Sequence, residues 1–231
     1  MTDPSICHII VAAGSGSRFG ADIPKQFTTL AGRPVLMTTI DRMRTFGHGG
    51  HILLVLHRDW VAPWRDMCNA HAFTSPDIII GGASRWESVK NALEHLPSSA
   101  TIVTVHDGAR PILTSDVIDG VLGAVRQGAP GALPAIEVTD SLRLIADDGS
   151  NHAVDRSLYR AVQTPQAFRA DLLTRAYDLP YRPVFTDDAS VMEAAYPDIR
   201  LSLTPGHPAN IKITHPHDLP QAERLLATLS N

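Results

Sequence analysis

Residues 9–26, IIVAAGSGSRFGADIPKQ, run an apolar strand into a loop of small residues and then deliver two cations. Gly14 and Gly16 let backbone N–H groups come close to an anion, and Arg18 and Lys25 add formal positive charge. The stretch reads as a polyphosphate cradle at the end of a buried strand. It is neither of the two commonest phosphate loops. A P-loop needs a Lys directly after its last glycine, and none stands here. The dinucleotide fingerprint needs a third glycine three places after Gly16, where the chain has Phe19 and then Gly20.

Outside this loop the chain reads as a soluble globular protein. Its 231 residues suffice for a substantial core, and 44% are hydrophobic against 19% charged. A net charge of −4 argues against nucleic acid as a partner, since a phosphate backbone rewards dense Lys and Arg. Any cations at a site must therefore be local. Cys7 and Cys68 are too few for a disulfide framework and read as small core residues. The N-terminus lacks the basic segment and apolar run of a signal peptide, and no stretch approaches a membrane span, so a cytoplasmic protein is expected.

Short β-branched runs alternate with amphipathic helical patterns, which predicts an α/β fold with a mainly parallel sheet covered by helices. The expected strands are 6–11, 51–56, 77–80, 101–105 and 131–136, with further strands near 160–163, 199–203 and 210–214. Their near-continuous hydrophobicity implies burial on both faces. Pro34 suits a first helical position, Ser84 with Glu87 forms a capping box, and Thr114 can cap a third helix. Later helices are expected over 169–177, 187–195 and 217–229. Between them, 138–145 and 151–154 read as two extended arms joined by a turn. The expectation is one domain over 1–231 with a protruding arm at 138–156.

Several further segments carry chemistry. Gly82 and Ser88 flank a strand end and a capped helix, so they can share a crevice with the first loop. Val103 to Pro111 is a strand ending in Asp107, Gly108 and Arg110, and a carboxylate placed there suits Mg²⁺ bound to nucleotide phosphates. Lys212 interrupts an apolar strand end, which suggests an anion partner. Thr186 to Asp188 reads equally well as a helix N-cap. Eleven histidines show no zinc spacing, and no nucleophile elbow is present.

In order along the chain, VAAGSGSR with PKQ, GGASRWESV, VHDGARP, VDRSLYRAVQTPQAF, TDDAS and NIKIT make it resemble the bacterial 2-C-methyl-D-erythritol 4-phosphate cytidylyltransferases. The resemblance implies a Rossmann-like nucleotide-diphospho-sugar transferase fold: a mixed, mostly parallel sheet flanked by helices, with a protruding β-hairpin arm. It also implies CTP as co-substrate, Mg²⁺ as cofactor, and a homodimer whose arm reaches the partner's site. Carried over position by position, Ala12, Ala13, Gly14, Gly16, Arg18 and Lys25 surround the triphosphate, and Gly82, Ser88, Asp107, Gly108 and Arg110 meet cytidine or the metal. Arg156 and Lys212 position methylerythritol phosphate, with Ser141, Thr164 and Thr186 nearby. Arg18, Lys25, Arg156 and Lys212 are the expected catalytic set. Ser141 stands where Thr is common, Gly108 where Ala is common, and Ala209 where some members carry an acid.

The implied reaction is attack by a phosphate monoester on the α-phosphorus of CTP. That nucleophile is largely ionised at neutral pH, so no general base is required. Charge repulsion between two polyanions is the obstacle, and local cations are the remedy. The nearest rival is a cytidylyltransferase for ribitol 5-phosphate, against which the run 154–168 argues. A non-catalytic nucleotide-binding regulator and an NAD-dependent oxidoreductase are the rivals of other classes.

Overall fold

The computed structural model describes residues 5–14 and 23–229. The chain opens with β1 (Ser5–Ala12). A minimal hairpin of β2 (Thr29–Leu30) and β3 (Arg33–Pro34) leads into α1 (Val35–Phe46). Alternating units follow: β4 (His51–Leu56) with α2 (Val61–Ala70), β5 (Asp77–Ile80) with α3 (Arg85–Leu93), and β6 (Ala100–Asp107) with α4 (Ser115–Arg126). After β7 (Gly131–Glu137) the chain makes a hairpin of β8 (Arg143–Ile145) and β9 (Asn151–Ala153). It returns through β10 (Arg160–Val162), β11 (Gln166–Arg169), α5 (Ala170–Ala176), α6 (Asp188–Ala195), β12 (Ser202–Pro205) and α7 (Asp218–Leu229).

Eight strands form one mixed sheet. β1 lies between β4 and β6, β5 flanks β4, and all these pairs are parallel. β11 runs antiparallel to both β6 and β7, β10 antiparallel to β7, and β12 parallel to β7. The short parallel crossovers carry a helix each, as parallel pairing requires. No described helix is long and apolar enough to cross a membrane.

The central strands β1, β4 and β6 are buried on both faces because both faces of the sheet are covered there. On β1, Ile6, Ile10 and Ala12 join a core with α1, α2 and α4, whereas Cys7 and Ile9 pack with α3, α5 and α6. His8 is the polar exception in the strand. Its Nε2 donates to the Gly47 carbonyl at 2.8 Å, so its Nδ1 accepts from the Thr104 hydroxyl at 2.7 Å, and burial pushes its pKa down to about 4. A Cβ on Gly50 would sit 2.4 Å from that Nε2, so only glycine fits opposite it. Burial drives the Cys7 thiol up to about 12, in keeping with a core residue rather than a reactive one.

Five local expectations need correction. Residues 210–214 are not a strand: Ile213 donates a single backbone bond to Ala109, and Thr214 N–H goes to the Asp218 carboxylate. The strand expected at 199–203 is shifted to Ser202–Pro205, in register with Ala132–Ala135. Thr114 makes no capping bond, and its buried hydroxyl has no partner among the described residues. Pro34 precedes the first turn of α1 because its residue pairs with Thr29 in the hairpin. The capping box at α3 is half formed: Ser84 accepts from Glu87 N–H, but the Glu87 carboxylate takes the N–H of Ala83 at 2.6 Å.

Candidate active site

A cavity of about 500 Å³ opens at the carboxyl ends of β1, β4 and β6. That is the end of an open α/β sheet where ligands collect. Its wall takes Ala12, Ala13 and Gly14 from the end of β1, Lys25 and Gln26 from the segment after the loop, and Gly82 to Arg85 with Ser88 from the start of α3. Val11, His57, Asp107, Ala109, Lys212 and Thr214 complete it.

Gln26 explains how the Ala12–Gly14 backbone is held. Its buried amide donates to the Ala12 carbonyl at 2.7 Å and to the Gly14 carbonyl at 3.0 Å. Those bonds turn both carbonyls toward the protein side and fix Lys25, one residue earlier, in the cavity wall. On the opposite wall Ser84 caps α3, and the Ser88 hydroxyl accepts from Gly82 N–H at 3.1 Å.

Asp107 ends β6 and is the electrostatic centre. Its Oδ2 meets Lys212 Nζ at 2.9 Å and Arg110 Nε at 3.3 Å, while Oδ1 lies 3.9 Å from Arg85 Nε. Burial opposes its charge, but Lys212, Arg85 and Arg110 more than offset this and hold the carboxyl well below the usual range. Thr164 and His106 fix its backbone. The Arg110 carbonyl accepts from His106 Nε2 at 3.1 Å, so Nδ1 accepts from the Thr164 hydroxyl at 3.0 Å, and that hydroxyl in turn accepts from Asp107 N–H at 3.1 Å. Burial drives the His106 pKa down to about 4, consistent with a neutral ring that serves this chain of bonds.

Arg85 is the second anchor. It grips the fully buried Asp188 through both terminal nitrogens, at 3.2 and 2.6 Å, and Tyr177 adds its hydroxyl to the same carboxylate at 2.6 Å. A two-point fork of this kind fixes orientation as well as charge. Three cations thus surround two carboxylates, leaving the cluster beside the wall net positive before Lys25 is counted. Such a cavity suits a polyanion that carries a base or sugar.

A profile described as IspD, 2-C-methyl-D-erythritol 4-phosphate cytidylyltransferase, matches residues 6–228. The chain belongs to the 2-C-methyl-D-erythritol 4-phosphate cytidylyltransferase family. A family protein of that name from Porphyromonas gingivalis is 45% identical over 222 residues, covering 95% of this chain and 97% of its own. Another from Bacteroides fragilis is 43% identical over 220 residues, covering 94% and 98%. The crystal structure of 4-diphosphocytidyl-2C-methyl-D-erythritol synthase from Anaerococcus prevotii superposes with a TM-score of 0.81 at 27% identity, covering 97% of this chain and 99% of that one.

Within this cytidylyltransferase fold, Ala12, Ala13, Gly14, Lys25, Gly82, Ser88, Asp107 and Lys212 come together around one cavity. Gly16 and Arg18 lie outside the described residues. Thr164 and Arg110 stand behind Asp107 rather than in the wall, Thr164 on its N–H and Arg110 on its carboxylate. Gly108 is a packing position, where an added Cβ would come within 2.9 Å of the Ala12 Cβ. Ser141, Arg156 and Thr186 are exposed and do not line the cavity of a single chain; Arg156 donates to the Thr139 carbonyl. Lys212 reaches Asp107 from an irregular segment, not from a strand.

Sequence reasoning missed Gln26, His57 and Arg85. The last left a signal: a cation in the first turn of a helix opposes the helix dipole and calls for a carboxylate from elsewhere. Asp188, 103 residues away, supplies it.

Proposed function

We propose that this chain transfers the CMP group of CTP to 2-C-methyl-D-erythritol 4-phosphate, giving 4-diphosphocytidyl-2-C-methyl-D-erythritol and pyrophosphate in the non-mevalonate isoprenoid route. The observation that carries the reading is the meeting of Lys25, Arg85, Lys212 and the Ala12–Gly14 backbone around one cavity of about 500 Å³ in a chain of this family. A phosphate oxygen of the acceptor attacks the α-phosphorus. The new P–O bond forms as the bond to the β-phosphate oxygen breaks, and the electron pair leaves with pyrophosphate.

Each part of the site has a task in that displacement. The acceptor phosphate carries its own charge at neutral pH, so the protein need only position it and relieve repulsion. Lys25, with Arg18, stabilises the charge that develops on the α-phosphate and the leaving group. The α3 N-terminus, Gly82 and Ser88 hold the cytidine half. Lys212, fixed by Asp107, offers a point charge to the acceptor phosphate, and Arg156 offers a planar fork.

Mg²⁺ fits the donor set in one form only. No group of three or more His, Cys, Asp or Glu among the described residues could hold a metal unaided. Asp107 Oδ1 makes no hydrogen bond among the described residues, and one such oxygen suits an ion that takes its remaining ligands from phosphates and water. There Mg²⁺ would neutralise phosphate charge.

The reading also takes the enzyme as a cytoplasmic homodimer in which the arm at 138–156 completes the partner's site. Exposed Leu144 and Ile145 on the hairpin, with exposed Leu158, Tyr159 and Val162 just after the arm, support it, because a lone hairpin flanked by this much apolar surface needs a covering surface. The two unpaired cysteines support a reducing compartment. The test is pyrophosphate release from CTP with methylerythritol phosphate and, side by side, ribitol 5-phosphate. Release with the first acceptor alone is expected. Preference for ribitol 5-phosphate would reassign the acceptor, and CTP binding with no release would make the chain a regulator.

A further inference from the structure

Asp188 is fully buried, 103 residues from Arg85 in sequence, and absent from the cavity wall, yet it holds the cation of that wall nearest the start of α3. Both residues occupy the first helical position of their helices, Arg85 in α3 and Asp188 in α6. The carboxylate is favourable at its own helix N-terminus, whereas the guanidinium is not. Something other than the helix must therefore keep Arg85 in place. Asp188 does so with two nitrogen contacts, and the Tyr177 hydroxyl fills a remaining lone pair.

The carboxylate is itself held on an independent strap. Asp187 caps α6 through Ser190 N–H and accepts from the Gln166 amide at 2.8 Å, and Gln166 accepts from Ala189 N–H at 3.1 Å. Gln166 lies on β11, in register with Val105 two residues before Asp107. The start of α6 is thus tied at once to the strand that ends in Asp107 and to the guanidinium 3.9 Å from Asp107 Oδ1. Without Asp188, Arg85 has one carboxylate left within reach, and it is the one that Lys212 and Arg110 already share.

We propose that Asp188 is a positioning residue for nucleotide binding, acting through Arg85: it keeps the guanidinium in the cytidine-side wall and from closing on Oδ1 of Asp107, 3.9 Å away. This rests on the cytidylyltransferase reading above. Arg85 stands beside Ser84, Gly82 and Ser88, so its displacement weakens ground-state capture of CTP more than the chemical step.

The test measures steady-state constants and direct CTP binding by calorimetry for Asp188→Asn and Arg85→Lys. Asp188→Asn keeps the shape and the Tyr177 bond but not the charge. Arg85→Lys keeps a charge paired with Asp188, and hence the fold, but cannot make the two-point grip. Both are expected to raise KM and Kd for CTP about tenfold with kcat within threefold of the parent. A KM within fivefold of the parent in either folded variant overturns the proposal, as does a fall in kcat alone, which a smaller folded fraction would give. If Asp188→Asn does not fold, Arg85→Lys decides by the same criterion. Parent protein that binds CTP but turns over no acceptor would sink the enzymatic reading, and the calorimetric comparison would still judge the role of Asp188.

Discussion

Two buried histidines carry the clearest consequence at the scale of single residues. His8 and His106 are each neutral and locked in one tautomer, His8 between Gly47 and Thr104, His106 between Arg110 and Thr164. Burial lowers both to about 4, below the ordinary histidine value of about 6.5. A depressed folded-state pKa means that the unfolded chain binds the proton more tightly. The stability is therefore present in full above about pH 6.5 and is lost as pH falls from there toward 4, by on the order of 3 kcal/mol per ring. Urea unfolding at pH 7, 6 and 5 should show a steadily falling midpoint. A midpoint flat across that range would mean that neither ring is buried neutral. These roles could not be read from the sequence, where His8 sits unremarked in an apolar strand and His106 stands beside the more conspicuous Asp107. Their hydrogen-bond partners are 39 to 96 residues away for His8 and up to 58 for His106.

At the scale of elements, the backbone from the end of β1 to Gly14 is set by Gln26, a dozen residues on. Gln26 satisfies the Ala12 and Gly14 carbonyls from a short 3₁₀ turn, Lys25–Phe27, and Phe27 anchors that turn by stacking on Trp60 at 4.8 Å. Gln26→Ala leaves two carbonyls without their partner and should cost about 1–3 kcal/mol. For a chain of this length that is a drop in Tm of about 3–10 °C, and KM for CTP should rise with it because Lys25 loses its neighbour. Thermal melts with and without CTP check both, and an unaltered Tm would show that this backbone is held by something else. Parallel strands were legible here because both-face burial writes an unbroken apolar run, as at 52–56. Residues 210–214 misled because Asn-Ile-Lys-Ile-Thr alternates like a strand, although the segment finds no ladder and its amides go to the His207, Ala209 and Ala109 carbonyls. β11 escaped notice because its four residues follow Pro165 directly and its pairing is antiparallel to β6, outside the parallel pattern.

At the scale of the whole molecule, one chain gathers Lys25, Asp107 and Lys212 around one cavity, while Arg156 and Ser141 stay exposed on the arm. The dimer reading makes a sharp prediction: mixing inactive Lys25→Ala and Arg156→Ala proteins should restore up to about a quarter of parental activity by random pairing, through hybrids with one intact site. Subunit exchange verified by mass spectrometry with no return of activity would mean that each chain serves itself. The chain by itself determined the α/β class, the strand ends that meet at the cavity, and the family, because burial periodicity and short motifs are local properties. Its Gly14, Lys25, Gly82, Ser88, Asp107 and Lys212 do meet at one cavity. Only the tertiary structure decided which of the remaining polar residues face that cavity and which stand behind it. Thr164 and Arg110 proved to be supports for Asp107, and Arg85 with Asp188 proved to be one unit. The reason is physical: a buried charge is tolerated only where another segment brings its partner, and that meeting is made by the fold, not by neighbours in the chain.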